Sequence, residues 1–144
     1  MKRKRRTRIL VKDTSGLSSA LAEEIRSVYP VTEIQAPKEG LVMVKLREQA
    51  RNSLFYLGEV LVTEAKARVQ NSPGLGLVQG NNEKLSRELA VIDAAWNAHL
   101  PETDEWEPRL LDAERLIQSR ESAEEQRILD TRVEFASMQE EDYV

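Results

Sequence analysis

The longest run of apolar positions in this chain lies between Leu54 and Thr63 and is broken only by Gly58 and Glu59. With the two-residue period of a β-strand, apolar side chains fall on both faces of the run. A strand that is apolar on both faces is typical of the interior of a sheet. We therefore expect a central strand here, buried on both sides.

Shorter alternating stretches on either side predict more strands of an antiparallel sheet. They are Val31–Ala36, Leu41–Arg47, residues 66–70 and Gly74–Val78. Pro37–Gly40 and Asn71–Gly74 hold proline and glycine at positions that β-turns favour, so each is a predicted turn.

Helical spacing predicts three helices. Leu17–Val28 is amphipathic. A second helix is expected from Asn82 to about His99, and from Leu89 to Ala98 it is apolar or small almost all round, which indicates burial on more than one side. The stretch from Glu107 to about Leu129 is highly charged, and its apolar stripe is interrupted by Glu121 and Glu124. Its middle is therefore expected to lie in solvent or on the basic surface of another protein.

The fold class that follows is α+β. We expect a small, mainly antiparallel β-sheet with packed helices, an extended C-terminal helix, and a terminal strand-like segment at Arg132–Met138, where the apolar positions alternate. Residues 1–138 form one domain that begins with a basic arm at residues 2–8, and residues 139–144 form an acidic tail.

Composition excludes several kinds of chemistry. The 144 residues are 40% hydrophobic and 32% charged, which is typical of a soluble globular protein. No apolar run approaches the roughly 20 residues of a membrane span, and no secretory signal is present, so we expect a cytoplasmic protein. There is no cysteine, and His99 is the single histidine, which excludes thiolate chemistry and a multi-histidine metal site. His99 itself is expected to be a boundary residue rather than a catalytic one.

The charges are unevenly distributed along the chain. Residues 1–80 carry 14 Lys and Arg against 8 Asp and Glu, and residues 81–144 carry 7 against 17. The two halves could pair with each other or with different partners. The arm Lys2–Arg8 holds six basic residues in seven and could contact nucleic-acid phosphates. Because no aromatic residue lies between them and no nucleic-acid motif follows, a solvated or partner-binding arm is favoured.

Two acids lie where the pattern expects apolar surroundings. Glu59 interrupts the central strand, and it is either turned to water by a β-bulge or is a functional or interface carboxylate. Asp93 borders the main apolar face of its helix. A buried carboxylate needs a partner. We expect Arg47 or Arg51 for Glu59, Arg132 for Asp93, and at least one of the two acids to be paired.

Several short sequences, taken in order, resemble the G subunit of the carbon–phosphorus lyase system, the PhnG family. They are Gly40-Leu41-Val42, Arg47, Phe55-x-x-Gly58-Glu59, Leu61, Thr63, Gly74, Gly80, Ala90-x-Ile92-Asp93-Ala94 and Arg132-Val133-Glu134-Phe135-x-x-Met138. No single motif is diagnostic, but together they extend over nearly the whole chain.

The resemblance implies a cytoplasmic subunit for phosphonate catabolism that works with other subunits, the nucleosidase I subunit first among them, and the H and J subunits. Together they would transfer a phosphonate to ribose C1 of a purine nucleoside triphosphate and release the base. The resemblance implies no cofactor in this subunit, and the nucleoside triphosphate is the substrate of the complex. Because this chain lacks cysteine, it cannot be the radical iron–sulfur subunit of the system.

The resemblance assigns no catalytic residue, and we do not expect the chain to be catalytic alone. The candidate functional or interface residues are Arg47, Glu59, Thr63, Asp93, Arg132 and Phe135. The alternative is a non-catalytic adaptor or regulatory domain whose basic arm binds nucleic acid.

Overall fold

The computed structural model describes residues 1–48, 50 and 53–141, and for residues 134–141 it describes the backbone alone. The elements are α1 (Arg3–Lys12), α2 (Leu17–Val28), β1 (Val31–Arg47), β2 (Leu54–Val69), β3 (Ser72–Gln79), α3 (Glu83–Asn97) and α4 (Pro101–Glu141). The strands form an antiparallel sheet in the order β1-β2-β3. The predicted α+β class is confirmed, and so are the bounds of α2.

β1 is one strand of 17 residues, so the turn predicted at Pro37–Gly40 is wrong. Gln35 pairs with Lys66 and Lys38 with Glu64, which leaves one extra residue on β1 around Pro37. Proline lacks an N–H donor and is tolerated at bulges of edge strands. The proline and glycine that predicted a turn at Pro37–Gly40 therefore accompany a β-bulge instead.

The hairpin between β2 and β3 turns at Gln70 and Asn71, whose φ angles are 48° and 65°. Two successive residues with positive φ between paired strands make a type I′ loop, whose twist matches that of the strands. Val69 pairs directly with Ser72, and Pro73 and Gly74 already belong to β3. The observed turn spans residues 69–72, so the turn predicted at Asn71–Gly74 is displaced by two residues.

Glycines let β3 lie directly on α3. A Cβ atom on Gly74 would overlap the backbone of Ala90 and Ala94, and one on Gly76 would overlap the backbone of Ser86 and Ala90. These two glycines thus permit close contact between strand and helix.

Replacing Gly76 with alanine should destabilise the chain by about 1–3 kcal/mol, because an added methyl group forces two backbones apart. Gly40→Ala is the matched control, since a Cβ atom there meets nothing within 4 Å, and we expect a change within about 0.5 kcal/mol. Urea denaturation of both variants measures the difference. Equal stabilities would show that β3 and α3 separate without cost.

The core lies between the sheet and the helices. The largest fully buried side chains include Trp106, Leu21, Ile25 and Ile92. α3 is buried along most of its length, as its pattern predicts. Most of the segment that was predicted as a solvated or partner-binding basic arm, residues 2–8, instead belongs to helix α1, which buries Ile9 and Leu10 against this core. The apolar residues at the end of the basic run supply that contact.

α4 is longer at both ends than the sequence suggested. It begins at Pro101 rather than Glu107, with Pro108 inside the helix, and its backbone is helical to Glu141. The strand-like segment predicted at Arg132–Met138 is therefore wrong. Two alternating large apolar residues, Val133 and Phe135, are a weak signal, and the stretch contains no glycine or proline to end the helix.

The first half of β2 is not buried, in contrast to the prediction. β3 pairs with β2 only as far as the pair of Val62 and Gln79, and beyond it β2 pairs with β1 alone. Residues 40–47 and 54–61 thus form a two-stranded extension, which we term the β ribbon. None of its described large apolar side chains is buried.

Candidate functional site

Asp93 lies at the contact between α1, β3 and α3. Its carboxylate is 8% exposed and accepts hydrogen bonds from Arg6 Nη2 at 2.8 Å, Arg3 Nη2 at 3.0 Å and the backbone N–H of Leu75 at 2.9 Å. The expectation that at least one of the two acids is paired is confirmed. The predicted partner, Arg132, is wrong, because α4 carries that residue away and α1 supplies the cations instead.

Arg6 is the most deeply buried cation of this cluster, with a side chain 7% exposed. Its guanidinium also lies 4.7 Å from the ring centroid of Trp96, a cation–π contact. Burial lowers the pKa of Arg6 below its usual value, and the neighbouring Asp93 opposes that shift. The group stays charged at neutral pH. No local pattern distinguishes Arg6 from the five other basic residues of the arm at residues 2–8.

A cleft of about 510 Å³ opens beside Asp93. Its rim carries Arg3, Lys4 and Thr7, and its walls include Leu75 and Leu89. Such a cleft can accept a small anionic and apolar group. It does not resemble a hydrolytic site, because the oxygens of Asp93 are occupied by three donors and the cleft has no histidine.

Three acids of this chain pair with four of the six basic residues of α1. Besides the pairs with Asp93, Arg5 binds Glu114 at 2.6 Å and Lys12 binds Glu121 at 2.5 Å. Arg5 lowers the pKa of Glu114 through a side-chain hydrogen bond. The basic and acidic halves therefore pair with each other. This pairing reduces the positive charge available to nucleic-acid phosphates. It therefore argues against the alternative function, in which the basic arm binds nucleic acid.

Glu59 is exposed and lies on the β ribbon. The pairing register changes here, since Val44 faces Gly58 but Lys45 faces Tyr56, so that Leu57 is the extra residue of a bulge. A bulge beside a solvated acid is the simpler of the two interpretations of Glu59. Of its predicted partners, Arg47 lies near the tip of the ribbon opposite Leu54, and Arg51 lies outside the described residues.

Thr63 is fully buried and has a structural role. Its hydroxyl donates to the carbonyl oxygen of Gly80 at 2.6 Å and accepts from the N–H of Asn82 at 3.1 Å. It thereby fixes β2 to the turn that begins α3.

The remaining candidates are on α4 and in the connection after α3. Arg132 is exposed on the distal part of α4. Phe135 lies where the structure describes the backbone alone. The predicted boundary residue His99 is exposed, with a φ of 54° just after α3. The structure therefore does not bring the five candidates with described side chains into one site.

Sequence reasoning missed two acids that anchor α2. Glu88 is buried and accepts hydrogen bonds from the hydroxyls of Ser18 at 2.9 Å and Ser19 at 2.7 Å. Glu24 accepts from Trp106 Nε1 at 2.8 Å and from Arg109. These partners are 69 to 85 residues apart, so no local pattern could have paired them.

The β ribbon is the most unusual surface of the described chain. Nine of its large apolar side chains are between 40% and 65% exposed: Leu41, Val42, Met43, Leu46, Leu54, Phe55, Tyr56, Leu57 and Leu61. They lie on both faces of two paired strands. Monomeric proteins rarely expose a contiguous apolar surface of this kind, and a protein partner is its usual occupant.

The described residues contain no group of three or more His, Asp or Glu that could hold a metal ion. Among the described helices, none combines the length and the hydropathy that crossing a bilayer requires.

An α+β domain whose most exposed apolar surface is a two-stranded ribbon, and whose described residues form no recognisable catalytic cluster, has the features of a subunit of a larger assembly. The sequence model of the family described as "Phosphonate metabolism protein PhnG" matches residues 1–140. This chain belongs to the PhnG family. A relative from Rhizobium meliloti (strain 1021), named "Alpha-D-ribose 1-methylphosphonate 5-triphosphate synthase subunit PhnG", is 31% identical over 137 residues. The match covers 91% of this chain and 84% of the relative.

Proposed function

We propose that this chain is a non-autonomous subunit of an alpha-D-ribose 1-methylphosphonate 5-triphosphate synthase in phosphonate catabolism. The family match over residues 1–140 and the name of the relative support this assignment. The complex would transfer a phosphonate to ribose C1 of a purine nucleoside triphosphate and release the base. Its other members would be the I subunit as nucleosidase, together with the H and J subunits, in the cytoplasm.

The exposed β ribbon is the observation that carries the subunit role. Its apolar side chains form the pattern of a buried strand, yet both faces are open in the single chain. Burying such a surface against another protein is favourable at about 25 cal/mol per Å² of apolar area. Partner subunits would thus bury the apolar side chains of the ribbon, as the sequence pattern of a buried strand predicts.

The total surface area supports the same conclusion. The chain exposes 10192 Å², whereas a compact monomer of its mass, 16.4 kDa, is expected to expose about 7,500 Å². The ribbon and the distal part of α4 account for the extended shape.

The chemistry of the candidate residues supports a non-catalytic role for this chain within the complex. Asp93 and Thr63 are occupied by structural hydrogen bonds, and Glu59 is a solvated acid on the ribbon. The nucleosidase chemistry is then carried by another subunit, while this chain holds the assembly together.

The test compares three preparations for release of adenine from ATP in the presence of methylphosphonate. The co-expressed set of I, H, J and this chain should be active. The purified chain alone should release no base above background, and the set without this chain should lose the activity. Turnover by the chain alone, or full activity of the other subunits without it, would contradict the proposal.

A further inference from the structure

The distal half of α4, residues 122–141, projects from the rest of the chain. The proximal half packs on the core through Trp106, Leu110, Ala113 and Ile117. From Ser122 to Val133, in contrast, every residue is exposed. At 1.5 Å per residue, the 20 residues of the distal half extend for about 30 Å.

A helix in this position is poorly stabilised by its own chain. Most of the stability of a helix in a protein comes from tertiary packing of an apolar face, whereas the described side chains of the distal half, residues 122–133, are all exposed. The distal half carries six acids and two arginines, a net charge of −4. Glu140 and Glu141 belong to the last turn of the helix, which has no basic residue. Negative charge at this end is unfavourable, because the C-terminal end of the helix dipole is itself negative. Basic groups of another protein would offset this unfavourable interaction between the acids and the helix dipole.

Its apolar side chains are collected on one side. Ile128, Leu129 and Val133 are 51%, 48% and 66% exposed. At about 100° per residue, they fall within an arc of about 140° of the helix surface. A partner that contacts this arc would bury all three and leave the opposite side in water.

We propose that the distal half of α4 docks into an apolar groove of another subunit of the synthase, and that lysine and arginine side chains flank this groove. The inference rests on the proposed function. A second copy of this chain is a poor occupant, because two distal halves would bring a charge of −4 each into contact. An apolar groove flanked by basic side chains would instead pair with the acids and bury the apolar side of the helix at the same time.

The experiment measures binding of the purified full-length chain to the co-purified I, H and J subunits. The variant Ile128→Gln/Leu129→Gln should bind about 30-fold more weakly or worse, the size of effect seen when central apolar contacts of an interface are removed. Leu116→Gln is the matched control, because Leu116 is an apolar residue of the proximal half with 69% exposure, and its binding should be unchanged. Wild-type binding should also weaken as salt is raised from about 50 to 500 mM.

The melting temperatures of the free variants and their sedimentation complete the test. Both variants should melt like the wild type, since the replaced side chains lie outside the core. Equal binding by the double variant and the control, while the wild type binds, would overturn this inference and leave the proposed function intact. Absence of wild-type binding would overturn both. A free-chain dimer that the double variant abolishes would overturn the basic groove in favour of a second copy.

Discussion

Replacing Asp93 with alanine should destabilise the free chain by about 3–5 kcal/mol. The substitution leaves the Arg6 guanidinium, whose side chain is 7% exposed, without its counter-ion. It also removes the acceptor of the Leu75 N–H and of Arg3. Stability of most small domains is only about 5–15 kcal/mol, so this is a large part of the total. Chemical denaturation of the purified variant measures it.

Two controls separate the lost pair from a general effect of removing a carboxylate. Glu59→Ala removes an exposed acid and should change the free energy of unfolding by no more than about 0.5 kcal/mol. The double variant Asp93→Leu/Arg6→Met replaces the buried pair by apolar groups and should recover much of the loss. A loss below about 1 kcal/mol for Asp93→Ala would show that α1 is not held by this pair.

The second large effect concerns assembly rather than folding. Leu46 and Phe55 are cross-strand partners on the β ribbon and are 51% and 49% exposed. The variant Leu46→Ser/Phe55→Ser should weaken binding to the I, H and J subunits by about 100-fold or more, because each side chain is expected to anchor the interface. The unfolding free energy of the free chain should change by less than about 1 kcal/mol, since the ribbon lies outside the core.

Val28→Ser is the control for this variant. Val28 is an apolar residue with 65% exposure at the end of α2, away from the ribbon, and its replacement should leave binding unchanged. Calorimetric titration against the co-purified subunits measures both. If the ribbon variant bound as tightly as the wild type, the ribbon would not be an interface.

Local patterns in the sequence identified most of the fold. Leu17–Val28 is the helix that the spacing predicts, and the apolar surface of α3 on several sides correctly indicated burial from Leu89 to Ala95. The burial and pairing of Asp93 also followed from its place beside the apolar face. These features depend on side chains within one element, which a periodic pattern records directly.

The errors arose where distant residues decide the outcome. The basic run was expected to be solvated, but its ion pairs with Asp93 and Glu114 join residues about 90 or more positions apart. Pro37 led to the prediction of a turn, but proline is also tolerated at a bulge of an edge strand, which is where it lies. Such pairings are set by the topology, which a local pattern does not contain.

The β ribbon shows a different kind of error. Its pattern is that of a buried strand, and in the single chain it is exposed. The pattern records the whole environment in which a strand functions, including the surfaces of partner proteins. The hydrophobic pattern of the ribbon therefore predicts burial that the single chain does not provide and that the proposed interface would provide.

The central claim is that this chain works as part of a complex with other subunits of the synthase. The most direct measurement is the mass and composition of the assembly that co-purifies with a tagged copy of the chain from cells that also express the I, H and J subunits. We predict a heteromeric complex that contains this chain and the I subunit in a fixed ratio and survives gel filtration. Elution of the chain alone at 16.4 kDa, with an active assembly of the other subunits in a separate peak, would contradict the claim.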